Sequence, residues 1–167
     1  MVFIWLFTPD IRCRYLAEAD TEVFRMLGTR TIVVDIDNTL ARPNSLVPLP
    51  YVERWIKEMR IRGIRIIAVS NNSKERISAF CRKLGIPYIA RARKPLTFRS
   101  RERILNSELD KNYTVVLGDQ VFTDVLFARM LGTLAILVAP AVKEESLFFR
   151  FKRALERIVL KDRNWCR

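Results

Sequence analysis

Short apolar runs rich in β-branched residues alternate with longer helical patterns along this sequence, and this alternation constrains the fold more than any other feature. The predicted strands cover residues 31–36, 64–69, 87–90, 113–117 and 134–139. Several of these runs are apolar without interruption, which is typical of strands buried on both faces of a parallel sheet. The helical patterns between them cover residues 50–62, 73–84, 98–109 and 121–131. The alternation predicts an α/β fold, in which a doubly wound, five-stranded parallel sheet forms the middle of three layers.

The composition limits the chemistry that such a domain could perform. The chain has 167 residues, enough for one domain, and contains no histidine, which excludes Ser-His-Asp and Cys-His nucleophiles and histidine zinc sites. Its three cysteines, Cys13, Cys81 and Cys166, form no C-x-x-C pair, so zinc and thioredoxin-type chemistry are not expected. Cys81 falls beside apolar helical positions and is expected to pack in the core. These features favour a reducing compartment and acid–base chemistry by carboxylates, lysine, tyrosine or thiol.

Polar residues follow the predicted strands, where parallel sheets bind their ligands. Asp35 lies at the end of the first predicted strand and Asp37 directly after it, and alternation directs both side chains to the same side. Ser70 comes at the end of the second strand, just before a helix. Each of these residues alone could simply cap a helix or a turn.

The later strand ends add a cation and two more carboxylates. Lys94 follows the third strand, and Asp119 and Asp124 follow the fourth. Carboxylates without histidine or cysteine suit Mg²⁺, which prefers oxygen ligands and substrate phosphate. A carboxylate can also accept a phosphoryl group covalently without help from histidine.

Taken together, these motifs resemble the haloacid dehalogenase (HAD) superfamily of phosphatases. DIDNT at 35–39, SNN at 70–72, the lysine of RKP at 93–95 and GDQVFTD at 118–124 follow the order of that superfamily's four motifs. The resemblance implies a Rossmann-like core at about 31–139. We expect a single domain over residues 1–167, with an amphipathic helix at about 144–161.

The resemblance also implies a role for each motif residue. Asp35 would be the nucleophile that forms an aspartyl-phosphate, and Asp37 the general acid and then the general base. Thr39 would orient the site, Ser70 would bind the phosphoryl oxygens, and Lys94 would offset their charge. Mg²⁺ would be held by Asp35, Asp119 and the backbone carbonyl of Asp37, with support from Asp124. The residues predicted to bind substrate are Asn71, Arg91 and Arg93.

The spacing of the motifs leaves no room for the cap domain that many HAD enzymes insert. Asp35 and Ser70 are 35 positions apart, and Ser70 and Lys94 are 24 apart. Predicted helices and strands already fill both intervals. We therefore expect a capless enzyme whose open site suits a bulky substrate or one presented on a surface.

A narrower resemblance points to the HAD subfamily IIIA phosphatases related to mitochondrial phosphatidylglycerophosphatase. The segments that carry it are VDIDNTL, SNN, IPYIARARKP and GDQVFTDV, with FTPD at 7–10 and FRF at 149–151 as weaker matches. It implies removal of the terminal phosphate from phosphatidylglycerophosphate, a step of phospholipid biosynthesis.

The charge distribution is compatible with a phosphate-rich partner. The formal net charge is +12, and residues 41–103 carry 16 basic and 4 acidic side chains, which accounts for the whole excess. Such a block could bind phosphates on lipids, nucleic acids or small molecules, or could simply be a solvated surface.

Each terminus could either contact a membrane or pack against the domain. The stripe of the C-terminal helix comprises Leu147, Phe148, Phe151, Leu155, Ile158 and Val159, and the rest of that helix is largely basic. It could lie on an anionic bilayer or dock on the sheet. The apolar segment 3–7 could likewise insert into a membrane or form an N-terminal strand. We expect a cytoplasmic protein, with peripheral binding to the inner face of the cell membrane left open.

Two other functions stay open. The same residues could dephosphorylate a soluble phosphomonoester or a nucleic-acid end. Alternatively, the chain could be a non-enzymatic, basic nucleic-acid-binding module with a vestigial site. The basic block 41–103 has few aromatic residues, and most of them fit core stripes better than an exposed stacking platform, so nucleic acid is not the expected partner. The sequence carries no signal for the oligomeric state.

Overall fold

The computed structural model describes residues 5–96, 109–142, 151–152, 154–156, 158 and 160. Six strands and four α-helices are described below, with each label in chain order. The strands are β1 (Ile11–Cys13), β2 (Thr31–Val34), β3 (Arg65–Val69), β4 (Tyr88–Ile89), β5 (Thr114–Gly118) and β6 (Leu134–Val138). The helices are α1 (Thr21–Met26), α2 (Val52–Ile61), α3 (Lys74–Leu84) and α4 (Leu126–Leu131). Residues 151–152, 154–156 and 158 are also helical, and we call them the C-terminal helical segment.

The sheet is parallel throughout and has the order β1-β6-β5-β2-β3-β4. The predicted α/β fold is confirmed, with six strands instead of five. The extra strand, β1, lies at the edge of the sheet, where Ile11 is in register with Ile136. It was missed because it has only three residues and places Arg12 between Ile11 and Cys13, a pattern too short for periodicity to detect.

The central strand β2 brings three strand ends together. All four of its residues are buried, and it pairs with β3 on one side and β5 on the other. Val34 is in register with both Ala68 and Leu117. Strands β3 and β4 are added on one side of β2, and β5, β6 and β1 lie on the other side. The crevice at the carboxyl end of such a switch point is where a doubly wound sheet binds ligands.

The helices begin and end at the signals that the sequence carries. Ser73 caps α3, since its Oγ accepts a hydrogen bond from the backbone N–H of Arg76, and Gly85 ends that helix in the left-handed conformation. Cys81 is fully buried, as expected, and burial raises the pKa of its thiol to about 12. Of the predicted helix at 98–109, only residue 109 lies within the described residues.

The predicted helix at 121–131 begins differently from a regular α-helix. Val121–Val125 forms a π-helical turn, and α4 follows it from Leu126. This turn brings the Asp124 carboxylate back to the end of β5, where it accepts a hydrogen bond from the backbone N–H of Gln120 at 3.1 Å.

The termini combine packed and exposed apolar residues. Trp5 lies in a helical turn and not in a strand, and its ring stacks on Arg129, while Phe7 packs edge-to-face on Phe122. Residues 1–4 lie outside the described residues. In the C-terminal helical segment, the described members of the predicted stripe, Phe151, Leu155 and Ile158, are 66%, 39% and 62% exposed. That segment instead packs through Glu156, which is buried, and is followed by Leu160, which contacts the core.

We predict that Gly118→Ala strongly destabilises the protein. A Cβ at this position would lie 2.4 Å from the carboxylate carbon of Asp124, so the π-helical turn would have to move. We expect a loss of about 3 kcal/mol in the free energy of unfolding. Urea denaturation measures this loss, with Gly63→Ala as the control.

Gly63 has no heavy atom within 4 Å of an added Cβ, although its φ is +71°. Its substitution should cost only the backbone strain, about 1 kcal/mol. Equal losses for the two variants would contradict the steric explanation.

Candidate active site

The carboxyl edge of the sheet gathers the predicted catalytic side chains. Asp35 lies one residue after β2, Ser70 one residue after β3, and Asp119 one residue after β5. The loop that follows β4 returns to this edge, since the N–H of Ala92 donates to the carbonyl of Ser70 at 3.0 Å. Lys94 comes two residues later in that loop.

The Lys94 ammonium lies between two carboxylates at the centre of the site. Its Nζ is 2.6 Å from Asp35 Oδ1 and 2.7 Å from Asp124 Oδ1. All three side chains are buried. Burial alone would lower the pKa of Lys94, but the charges of Asp124 and Asp35 outweigh burial and raise it. The lysine therefore stays a cation, and both carboxylates share it.

Asp35 has an unusual proton affinity because it is buried. Loss of solvation raises its pKa to about 7, and the charges of Asp124 and Asp37 act in the same direction, while Lys94 opposes them. Burial thus favours the protonated form of Asp35, whereas the Lys94 ammonium favours its carboxylate form.

Three carboxylates are arranged so that they could hold a metal ion. One oxygen from each of Asp35, Asp119 and Asp124 lies within 4.8 Å of the others. All three residues are buried, and the donor set consists of oxygen alone, which fits Mg²⁺. The Asp37 carboxylate is not part of this cluster, so any contribution from that residue would come from its backbone carbonyl, as expected from the motif.

The Asp37 carboxylate is bound by a separate set of donors. Arg76 makes two hydrogen bonds to it, at 2.7 and 2.9 Å, and the Asn72 side chain makes a third at 2.8 Å. The backbone N–H of Asn44 donates a fourth at 3.0 Å. Asp35 and Asp37 are therefore neutralised by two different cations.

Sequence reasoning missed both Arg76 and Asn72. Asn72 belongs to the SNN motif but was assigned no role. Arg76 occupies the first turn of α3, where the helix dipole disfavours a cation. An arginine at such a position is a weak signal that its partner lies outside the helix.

Asn71 and Ser70 are placed differently with respect to the cluster. Asn71, predicted to bind substrate, uses its amide on the backbone of Lys94: Oδ1 accepts from the N–H at 2.6 Å, and Nδ2 donates to the carbonyl at 3.0 Å. Its position thus serves to fix the Lys94 loop. Ser70 is buried at the end of β3, and its Oγ accepts from the N–H of Asn72 at 3.1 Å.

The other predicted residues flank the cluster. Arg91 and Arg93 are exposed and have left-handed backbones, with φ of 51° and 57°. Such conformations are strained for arginine and often occur at functional sites. Thr39 is buried, and its hydroxyl has no hydrogen-bond partner among the described residues.

We predict that Lys94→Met destabilises the metal-free protein by about 3–5 kcal/mol at pH 7, because two buried carboxylates would lose their shared cation. Urea denaturation measures the loss. Lys83→Met is the control, since that lysine is exposed and 3.5 Å from the carbonyl of Leu46. A loss below about 1 kcal/mol for Lys94→Met would contradict the role of the lysine.

We also predict a pH dependence that Asp35 causes. The folded-state pKa of Asp35 lies above the ordinary value of 3.8, at about 7. The contribution of Asp35 to the free energy of unfolding is therefore most favourable at low pH, where the residue is protonated. That contribution is lost as the pH rises through the folded-state pKa. With chelator present, the free energy of unfolding of Asp35→Asn relative to wild type should therefore increase from pH 4 to pH 8. A difference that stays constant over this range would contradict the raised pKa.

Comparisons with known proteins agree with the fold and the motifs. Residues 4–143 match the family described as "Mitochondrial PGP phosphatase". A Bacillus subtilis (strain 168) protein named "Probable phosphatase YqeG" is 37% identical over 157 residues, covering 92% of this chain and 90% of that protein. An Arabidopsis thaliana protein named "Phosphatidylglycerophosphate phosphatase 1, chloroplastic/mitochondrial" is 27% identical over 95% of this chain, which spans 48% of that longer protein.

A solved structure shows the same fold at low sequence identity. It is that of a Legionella pneumophila protein named as a HAD superfamily (subfamily III A) hydrolase. The TM-score is 0.52 at 13% identity, and the match covers 87% of this chain and 79% of that one. The family match and the YqeG relative, together with the HAD fold, identify a phosphoric monoester hydrolase. The chain belongs to the mitochondrial PGP phosphatase family of HAD-type phosphatases.

Proposed function

We propose that this protein is a Mg²⁺-dependent phosphatase that removes the terminal phosphate from phosphatidylglycerophosphate through an aspartyl-phosphate. The observation that carries the proposal is the buried Asp35, paired with Lys94 beside an oxygen-only carboxylate cluster. The lipid substrate is favoured by the family match and by the name of the Arabidopsis relative.

In the first step, a carboxylate oxygen of Asp35 attacks the phosphorus of the substrate. The bond from phosphorus to the leaving oxygen breaks as the new bond to Asp35 forms. The leaving oxygen takes a proton from Asp37, which acts as the general acid. Lys94, 2.6 Å from Asp35, offsets the negative charge that gathers around the transferring group.

In the second step, water attacks the phosphorus of the aspartyl-phosphate, and Asp37 accepts the proton of that water. The bond between phosphorus and Asp35 breaks, which releases inorganic phosphate and restores the carboxylate. Asp37 suits both steps, because its side chain is about a fifth exposed while that of Asp35 is buried. Ser70 would bind phosphoryl oxygens, and Thr39 would orient the loop that carries both aspartates.

The metal would be held by Asp35, Asp119 and the backbone carbonyl of Asp37, with support from Asp124. When bound, Mg²⁺ would supply positive charge that balances the phosphoryl oxygens and favours the ionised form of Asp35. The raised pKa of Asp35 supports a role for such added positive charge.

The surroundings of the site suit a substrate whose phosphate group is presented on a surface, such as that of a membrane. In the described residues, one loop, α2 and β3 separate Asp35 from Ser70, and α3 and β4 separate Ser70 from Lys94. Neither interval contains a cap. The exposed side chains of Arg91 and Arg93 flank Lys94 in sequence, and Leu96 beyond them is 66% exposed. We assign to the two arginines the binding of further negative charge on the substrate.

The C-terminal helical segment supports peripheral contact with a lipid surface. Phe151, Leu155 and Ile158 recur at helical spacing, and all three are exposed. On its other side, Lys152 donates to Thr123 Oγ1 at 3.0 Å, and Glu156 accepts from the N–H of Val121 at 3.0 Å. The segment is thus attached to the turn that carries Asp124. Within the described residues, no helix has the length and apolar character needed to cross a membrane.

We predict that Asp35→Asn lowers phosphate release by about 10³-fold or more, because the neutral amide cannot form the aspartyl-phosphate. The assay uses anionic vesicles that contain phosphatidylglycerophosphate, with Mg²⁺ or with excess chelator. Chelation should abolish wild-type activity. Asp110→Asn, at the cap of a 3₁₀ turn, is the control and should retain activity. Turnover by Asp35→Asn at the wild-type rate would refute the mechanism.

We predict that the double variant Phe151→Ser/Ile158→Ser loses activity on vesicles by about tenfold, since burying the two side chains stabilises membrane contact by a few kcal/mol at most. Its activity on a soluble phosphomonoester should not change. Ile61→Ser, at a residue that is 73% exposed on α2, is the matched control. Equal losses on both substrates would refute the lipid contact.

The same assay separates the proposed substrate from the alternatives. An enzyme that hydrolyses soluble monoesters or phosphorylated DNA ends but leaves the lipid untouched would favour a capless phosphatase with another substrate. Nucleic-acid binding that survives Asp35→Ala and Asp37→Ala, without any phosphate release, would favour the non-enzymatic module.

A further inference from the structure

Arg76 occupies a position in α3 that is unfavourable for a positively charged side chain. It is the third residue after the Ser73 cap of α3, where the first-turn N–H groups of a helix repel a cation. Its side chain is nevertheless only 15% exposed, and its guanidinium reaches across to the loop after β2. The contacts that offset this cost therefore lie outside the helix.

Those contacts fix both ends of the loop segment that begins at Asp37. Arg76 Nη2 donates to Asp37 Oδ1 at 2.7 Å and to the carbonyl of Ser45 at 3.1 Å, and Nη1 donates to Asp37 Oδ2 at 2.9 Å. The two nitrogens bind the two carboxylate oxygens as a bidentate pair. One side chain thus holds both oxygens of Asp37 and connects Asp37 to Ser45.

The remaining donors hold that orientation from other directions. Asn72 Nδ2 binds Asp37 Oδ2 at 2.8 Å, and the N–H of Asn44 binds Oδ1 at 3.0 Å. Asp37 receives no hydrogen bond from Lys94 in the described part of the chain, whereas Asp35 does. Two cations thus serve two neighbouring carboxylates, which have different tasks in the proposed reaction.

We infer that Arg76 is a positioning residue, which holds the ionised Asp37 carboxylate in the orientation in which it accepts the proton of the attacking water. This inference rests on the proposed function. Arg76 acts through Asp37 and does not itself bind the phosphoryl group. Loss of Arg76 should therefore slow turnover without weakening substrate binding.

The kinetic test compares Arg76→Ala, Arg76→Lys and Arg82→Ala on a soluble phosphomonoester with Mg²⁺. Arg82 is an exposed arginine of the same helix that contacts Ser78, and its variant should match wild type. Arg76→Ala should lower kcat by about 100-fold and leave KM within about twofold. Arg76→Lys should restore part of kcat, because lysine keeps the charge but not the bidentate geometry. A raised KM with unchanged kcat, or activity equal to that of Arg82→Ala, would overturn the inference.

A second measurement does not depend on activity. The melting temperatures of wild type, Arg76→Ala, Asp37→Asn and the double variant form a double-mutant cycle. If the two residues hold each other, the double variant should melt no lower than the less stable single variant. Additive losses would overturn the positioning role. If wild type hydrolyses no phosphomonoester, the proposed function fails, and this cycle still decides whether Arg76 fixes Asp37.

Discussion

The Lys94 ammonium, shared by the buried carboxylates of Asp35 and Asp124, is the interaction on which this site depends. Two carboxylates and one cation out of water are stable only if each remains close to its partners. Two neighbouring residues help to keep these three side chains close together. Asn71 binds the backbone of Lys94 on both sides, and Gly118 lacks the Cβ that would collide with Asp124.

The parallel sheet explains why residues so far apart in sequence can meet here. Adjacent parallel strands end at the same edge, and β2 lies between the strands that precede Ser70 and Asp119. The sheet supplies rigid positions, while the chemistry belongs to the loops that follow it. The absence of histidine is no obstacle, because nucleophile, acid and metal ligands can all be aspartates.

Charge in this protein acts at two distances. At short range, Lys94 and Arg76 each neutralise particular carboxylates, so that Asp35 and Asp37 are held independently. At long range, the net charge of +12 favours encounter with anionic surfaces. The proposed approach of such a surface to the site rests on two features of the described residues: the absence of a cap between Asp35 and Lys94, and the exposed apolar residues of the C-terminal helical segment.

The sequence by itself determined the α/β fold, five of the six strands and the order in which aspartates, serine and lysine follow them. These features follow from local periodicity and from the polar residues that come directly after apolar runs. Both can be recognised within a few neighbouring residues. Only the tertiary structure decided that Asn71 holds Lys94, that Arg76 binds Asp37 and that Phe151, Leu155 and Ile158 are exposed. Arg76 and Asp37 are 39 positions apart. Such contacts follow from how α3 and the loop after β2 pack on the sheet, and no local pattern records that packing.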